Sequence, residues 1–205
     1  MLRGLYVITD KKLTPYENIE EYVELALKGG ARVVQFRDKS LNEEDLIKIS
    51  LKIQTICKKY NRVFIINDNI DLAKEINADG VHIGENDNSL EEAQRVLKGK
   101  IIGVSCYGDV MSAIEMEARG ASYVAFGAFF ASKTKPNAKT ISKSILIEAK
   151  KQLNIPICAI GGIEIDSAKE LVNLGADMLA VISDVWTNKD IENISMEYKK
   201  VFDNL

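Results

Sequence analysis

Eight short runs of β-branched and other apolar residues, each continuous rather than alternating, constrain this chain more than any other feature. They fall at residues 5–9, 33–36, 63–66, 80–83, 101–104, 123–126, 157–160 and 178–181. A strand with one wet face alternates polar and apolar side chains. A run that is apolar throughout is buried on both faces, as in a parallel sheet covered by helices. Between the runs lie longer stretches with helical spacing and a charged face. Over residues 43–60, for example, Leu46, Ile47, Ile49, Ile53 and Ile56 form one stripe. Strand and helix therefore alternate about eight times with no Pro-, Gly- or Ser-rich linker, which predicts an α/β chain folded as a single (β/α)8 barrel domain over residues 1–205.

A doubly wound open sheet is the alternative. Against it, no Gly-x-Gly-x-x-Gly follows an early strand, and similar small-residue turns recur where helices return to strands. These are Gly29-Gly30-Ala31, Asn77-Ala78-Asp79-Gly80, Gly120-Ala121-Ser122 and Gly175-Ala176-Asp177. Such turns supply helix C-caps and favour a closed, repetitive architecture.

Charge and composition exclude several classes of function. With 27 Lys and Arg against 30 Asp and Glu the net charge is -3, so the chain lacks the broad positive field with which nucleic-acid binders collect phosphates. Any phosphate it binds must sit in a focused pocket. Cys57, Cys106 and Cys158 are far apart, and with His82 as the single histidine they do not make a standard zinc quartet. They read as reduced thiols, Cys106 and Cys158 as core or near-core hydrophobes. No uncharged stretch approaches the roughly 20 residues of a membrane helix, and residues 1–10 lack a signal peptide's apolar core. A cytoplasmic protein without a membrane or nucleic-acid partner is expected.

In a barrel the active site lies at the C-terminal ends of the strands, so the polar residues that follow each apolar run are the candidates. They are Arg37, Asp38 and Lys39; Asn67 and Asp68; Glu85 and Asp87; Ser105; the loop Ser132, Lys133, Thr134 and Lys135; Gly161 and Gly162; and Ser183. Gln35, Arg37 and Lys39 alternate, so an extended strand would point all three to one side, and Gln35 interrupts an apolar run. A buried Gln needs a partner, and a ligand's hydrogen-bonding edge would provide one. Asp68 and Asp87 end consecutive units and could hold Mg2+, which takes few protein oxygens. Equally, Asp68 could cap the helix that begins near Ile70. Gly161 and Gly162 with Ser183 match the phosphate site that barrels build after strands seven and eight. His82, isolated in an apolar run, reads as a structural residue. Trp186, Tyr6 and Phe129 could line a pocket or simply pack.

Taken in order, Tyr6 to Asp10, Val34 to Lys39, Ile65 to Asp68, Ala78 to Gly84 with Asp87, Gly103 to Ser105, Lys133 to Lys135, Ala159 to Ile163 and Ala180 to Ser183 resemble the thiamine phosphate synthase family over essentially the whole chain. The resemblance implies a transferase of (β/α)8 fold that joins hydroxymethylpyrimidine diphosphate to a thiazole phosphate, or its carboxylated form, with Mg2+ as cofactor. It implies Gln35 at the pyrimidine, and Arg37, Lys39, Asn67, Ser105 and Lys135 at the diphosphate, with Arg37, Lys39, Ser105 and Lys135 as the catalytic set. Asp68 and Asp87 would hold the metal. Ser132, Lys133, Thr134, Gly162, Ile182 and Ser183 would meet the thiazole phosphate. Small-molecule substrates are the expected partners, and a homodimer is a candidate assembly.

The chain departs from the family pattern in three places. Ala131-Ser132 stands where Pro-Thr is common, Tyr107 where a His often follows, and Asn86 where Glu commonly precedes the metal Asp. Two rivals differ in kind. A thiazole tautomerase of the same superfamily would call for a His at the Tyr107 position and lack the Lys-Thr-Lys loop. A noncatalytic phosphate-binding barrel would have lost the metal or diphosphate residues.

Overall fold

A computed structural model describes residues 2–84, 89–131 and 139–203. The strands are β1 (Gly4–Ile8), β2 (Val33–Phe36), β3 (Val63–Asn67), β4 (Gly80–Ile83), β5 (Ile101–Tyr107), β6 (Tyr123–Phe126), β7 (Ile157–Ile160) and β8 (Met178–Val181). Their order is that of the chain, all neighbours are parallel, and β8 pairs with β1, so the sheet closes into a barrel. The helices between them are α1 (Ile19–Lys28), α2 (Glu43–Lys59), α3 (Ile70–Glu75), α4 (Leu90–Val96), α5 (Val110–Ala118), α6 (Ser144–Gln152) and α7 (Ile165–Asn173). After β8 come a short α8 (Ser183–Trp186) and α9 (Ile191–Asp203), which packs on α1, α7 and β1. The predicted (β/α)8 barrel is the observed fold, and the open doubly wound sheet is excluded.

The continuous apolar runs have a direct physical cause. Alternate residues of each strand point outward to the helices or inward to the barrel axis, and both destinations are dry. Leu5, Val7, Val34, Phe36, Phe64 and Ile66 belong to the outer core, while Tyr6, Ile8, Val33, Ile65, Tyr123, Cys158 and Met178 fill the inside. The α2 stripe behaves as its spacing requires: Ile53 is fully buried, and Leu46, Ile47, Ile49 and Ile56 lie against the outer core. Strand β5 runs three residues past its apolar stretch, and its pairing with β6 shifts register between Ser105 and Tyr107. Polar Ser105 hides that extension from a reading based on hydropathy.

The small-residue turns are C-caps of one kind. Gly30, Gly120 and Gly175 have φ of 108°, 91° and 120°, and Asn61 and Asn77 join them at 53° and 52°. At each, the N–H bonds back to the carbonyl three residues earlier, as Gly30 does to Leu27, and the next residue's N–H reaches five back, as Ala31 does to Ala26. This is the Schellman arrangement, and it satisfies carbonyls that a helix end leaves orphaned. The following Ala31, Ala78, Ala121 and Ala176 are buried, which explains why the turns repeat Ala. All three cysteines are free and buried, and burial pushes the Cys57 thiol up to about 12 and the Cys106 thiol up to about 11. Among the described residues, no helix is long and apolar enough to cross a membrane.

Candidate active site

A cavity of about 470 Å3 opens at the C-terminal end of the barrel strands. Its lining is two-sided. Gln35, Arg37, Asn67, His82, Ser105 and Tyr107, from β2 through β5, supply polar groups, whereas Ile8, Ala125, Cys158, Ile160, Ala180 and Ile182, from β6 round to β1, supply apolar wall. Among the described lining residues there are two cations, Arg37 and Lys139, and no carboxylate. Such a cavity is built for a ligand that carries negative charge and has a flat or apolar portion. A second cavity, of about 380 Å3, lies at the opposite end beside Arg3, Arg32 and Lys199. Those three side chains are exposed, so water already solvates their charges.

Each polar group is placed by its strand. Gln35 is 2% exposed inside the barrel and donates from Nε2 to the Tyr6 hydroxyl at 2.6 Å. Arg37 follows β2 directly, and its backbone N–H donates to Thr9 Oγ1 at 3.0 Å. Its guanidinium has no ion-pair partner among the described residues. A half-buried cation with no ion pair among the described residues marks this part of the cavity as a candidate anion site. Lys39 is not part of the cavity wall. Strand β2 ends at Phe36, so strand alternation carries neither Arg37 nor Lys39; Arg37, the first residue after the strand, still lines the cavity, and Lys39, two residues further, does not. It stands at the rim, exposed, with Nζ 2.9 Å from Asp68 Oδ2.

Asp68 resolves one alternative. The cap of α3 is Asn69, whose side chain accepts from the Leu72 N–H at 2.9 Å, so capping does not need Asp68. Its φ of 60° turns the chain at the end of β3, and the carboxylate reaches Lys39. Gly161 and Gly162 have φ of 104° and 61°, and a Cβ on Gly162 would lie 2.4 Å from the Ala131 carbonyl oxygen. Only glycine fits this close backbone approach. Gly161 and Ile182 line the cavity, and Ser183 opens α8 just beyond it. Asp87, Ser132, Lys133, Thr134 and Lys135 lie outside the described residues.

Three arrangements went unread in the sequence, although Asp38 and Tyr6 were named there as candidates. His82 lines the cavity and bonds through both ring nitrogens, to Tyr123 and to Ser105. Tyr6 and Tyr123, from opposite halves of the chain, meet inside the barrel. Asp38, between Arg37 and Lys39, organises their loop by accepting from the Ser40 N–H at 2.7 Å, the Leu41 N–H at 2.9 Å and the Tyr16 hydroxyl. Of these, the Asp38-x-Ser40 pair carried a local signal, an Asx turn. Trp186 packs, donating Nε1–H to the Ile8 carbonyl at 2.7 Å.

Burial alone would raise the Asp38 carboxyl, but the hydrogen bonds from Tyr16, Ser40 and Leu41 outweigh it and hold the group below its ordinary range. The stabilisation it gives is present above the unfolded carboxylate pKa of about 3.9 and is lost as pH falls through the lower folded value. Asp38→Ala is therefore expected to cost about 1–2 kcal/mol near pH 7. Calorimetric melting of variant and wild type should differ by roughly 2–8 °C there and converge in strong acid. An equal difference at both pH values would show that the carboxylate charge plays no part.

Comparison with known proteins agrees with this geometry. The thiamine monophosphate synthase family model matches residues 5–185. This chain belongs to that family. It is 44% identical over 202 residues to a thiamine-phosphate synthase of Nitrosococcus oceani, covering 98% of this chain and 93% of that one. To the thiamine-phosphate synthase of Alcanivorax borkumensis it is 42% identical, covering 94% and 89%. Among solved structures, thiamine phosphate pyrophosphorylase from Pyrococcus furiosus superposes with a TM-score of 0.90 at 34% identity, covering 98% and 96%. A thiamine phosphate synthase fold with this cavity makes the chain a transferase of thiamine biosynthesis.

Proposed function

We propose that this barrel, one domain over residues 1–205, joins hydroxymethylpyrimidine diphosphate to a thiazole phosphate, giving thiamine phosphate and pyrophosphate, or to its carboxylated form, which additionally releases the carboxylate as CO2. The observation that carries the reading is Arg37, without an ion pair among the described residues, in a cavity whose described lining holds no carboxylate, beside the amide of buried Gln35. The bond from the pyrimidine methylene carbon to the diphosphate oxygen breaks, and its electron pair leaves with the diphosphate. The thiazole nitrogen then supplies the pair for the new carbon–nitrogen bond. No protein nucleophile is needed. The residues bind two substrates in line and neutralise the charge that departs.

In this assignment Gln35 holds the pyrimidine, and Asn67 and Ser105 donate to the diphosphate while Arg37, Lys39 and Lys135 offset its charge. Gly162, Ile182 and Ser183, with Ser132, Lys133 and Thr134, meet the thiazole phosphate where the strand seven and eight loops approach short α8. Among the described residues no three His, Cys, Asp or Glu side chains cluster as a closed metal site. The partly buried Asp68 carboxylate at the rim nevertheless suits Mg2+, which uses one or two carboxylates and takes its other oxygens from phosphate and water. Asp68 and Asp87 would hold it. When bound, the ion supplies further positive charge beside the leaving diphosphate. A cytoplasmic setting, small-molecule partners and a homodimer complete the proposal.

The deciding measurement is formation of thiamine phosphate from the two purified substrates, with and without Mg2+. Isomerisation of a thiazole carboxylate with no coupling would point instead to a tautomerase, and binding without turnover to a sensor. For the metal, calorimetric titration of pyrophosphate should show Mg2+-dependent binding that Asp68→Ala weakens. An unchanged titration would remove Asp68 from the metal site.

A further inference from the structure

The inside of the barrel carries an unbroken line of polar side chains from five strands. Gln35 Nε2 lies 2.6 Å from Tyr6 Oη, Tyr6 Oη 3.0 Å from Tyr123 Oη, Tyr123 Oη 2.9 Å from His82 Nδ1, and His82 Nε2 2.8 Å from Ser105 Oγ. Its middle is dry, with Tyr6 and Tyr123 each 1% exposed, and both ends, Gln35 and Ser105, line the cavity. Polar groups so placed cost free energy unless every donor meets an acceptor, so the line must run in a single sense.

That sense follows from the inventory of protons. Burial raises both phenols far above the ordinary tyrosine value, so each stays protonated, with one proton to give and lone pairs to accept. The Gln35 Nε2 group can only donate. Tyr6 then gives its proton to Tyr123, and Tyr123 gives its own to His82 Nδ1. With Nδ1 accepting, the neutral ring carries its hydrogen on Nε2 and donates it to Ser105 Oγ. The Ser105 proton is left over.

We infer that Tyr6 and Tyr123 are positioning residues that fix His82 as the Nε2–H tautomer and thereby make Ser105 a hydrogen-bond donor toward the cavity. The same polarity commits Nε2 of Gln35 and leaves Oε1 as the amide atom that accepts from a ligand. Reversing the amide would reverse every bond, place the ring hydrogen on Nδ1 and leave Ser105 facing an anion with lone pairs only. The choice between the two senses rests on the reading that Ser105 meets the substrate's diphosphate. Tyr123 is set back from the cavity and Tyr6 borders it at 1% exposure; in this account both act through His82.

The chain holds one histidine, so protein labelled with 15N-histidine gives a single ring in a long-range 1H–15N spectrum. At alkaline pH, where an imidazole is neutral, that spectrum reads the tautomer rather than titration. The expected result for the ligand-free wild type is hydrogen on Nε2. Tyr123→Phe keeps the ring and removes the relay oxygen; the two nitrogen shifts should move toward each other as the tautomers mix, with kcat falling about tenfold and KM changing less. Tyr6→Phe, one link further away, should give a smaller change of the same sign. A wild-type ring protonated on Nδ1 overturns the inference whatever the variants' stability, and so does a Tyr123→Phe ring signal that matches wild type. Because the spectrum needs no substrate, a failed coupling assay would sink the proposed reaction and leave the relay polarity standing or falling on its own result.

Discussion

Arg37→Ala should lower kcat by on the order of 10²-fold or more while leaving the melting temperature almost unchanged. The expected loss is that of one preorganised charge aimed at a developing anion. Stability should be spared because the guanidinium makes no ion pair among the described residues. The loop around it is held through the Arg37 backbone, by Thr9, and through Asp38, and these contacts survive the substitution. Steady-state kinetics paired with calorimetry measure both halves of the statement. Near-normal turnover would remove the diphosphate from this part of the cavity. A large loss of stability would show that Arg37 works in the fold rather than in the reaction. Lys135→Ala should resemble Arg37→Ala in rate.

The largest effect on stability should come from one methyl group inside the barrel. A Cβ on Gly103 would lie 2.0 Å from Cζ and 2.4 Å from Oη of Tyr123. The Tyr123 ring has nowhere to go, being stacked on His82 at 5.5 Å and set edge-on to Tyr6 at 6.1 Å between centroids. Overpacking a close-fitted core costs about 1–3 kcal/mol and occasionally more, and displacing Tyr123 also breaks two buried hydrogen bonds. Gly103→Ala is expected to reach the upper end, about 3 kcal/mol, lowering the melting temperature by roughly 6–12 °C. Adding Tyr123→Leu should recover part of the loss by freeing space. A single variant that melts within about 2 °C of wild type would mean that β5 and β6 can slide apart, and the tightness assigned to the barrel interior would be wrong.

Much of the architecture was legible because its causes are local. Five of the apolar runs, at 33–36, 80–83, 123–126, 157–160 and 178–181, coincide with whole strands. The Gly-Ala turns announced helix ends, since a left-handed residue followed by a small buried one is a requirement of the helix terminus itself. Gln35 stood out as a polar residue in an apolar run, and it is indeed buried at the cavity. Arg37, Asn67 and Ser105, which line the cavity, were picked out by one rule, that barrel chemistry follows the apolar runs, although Asn67 ends β3 and Ser105 lies inside a β5 longer than its run. Lys39, which follows the same run as Arg37, stands at the rim rather than in the cavity wall, and His82 lines the cavity from within its run, where the rule does not look. Tyr6 was left undecided because inward and outward positions look alike in a run that is apolar on both sides.

The succession of runs, stripes and turns in this chain determined a closed parallel barrel and the strand ends at which its cavity opens, because short-range periodicity and capping dictate both. Which buried side chains touch was settled only in three dimensions. Tyr6 and Tyr123 are 117 positions apart yet 3.0 Å from each other, and Asn69 rather than Asp68 caps α3. Barrel closure brings strands from both halves of the chain to one axis, and a hydrogen bond across that axis leaves no trace in the local spacing of residues.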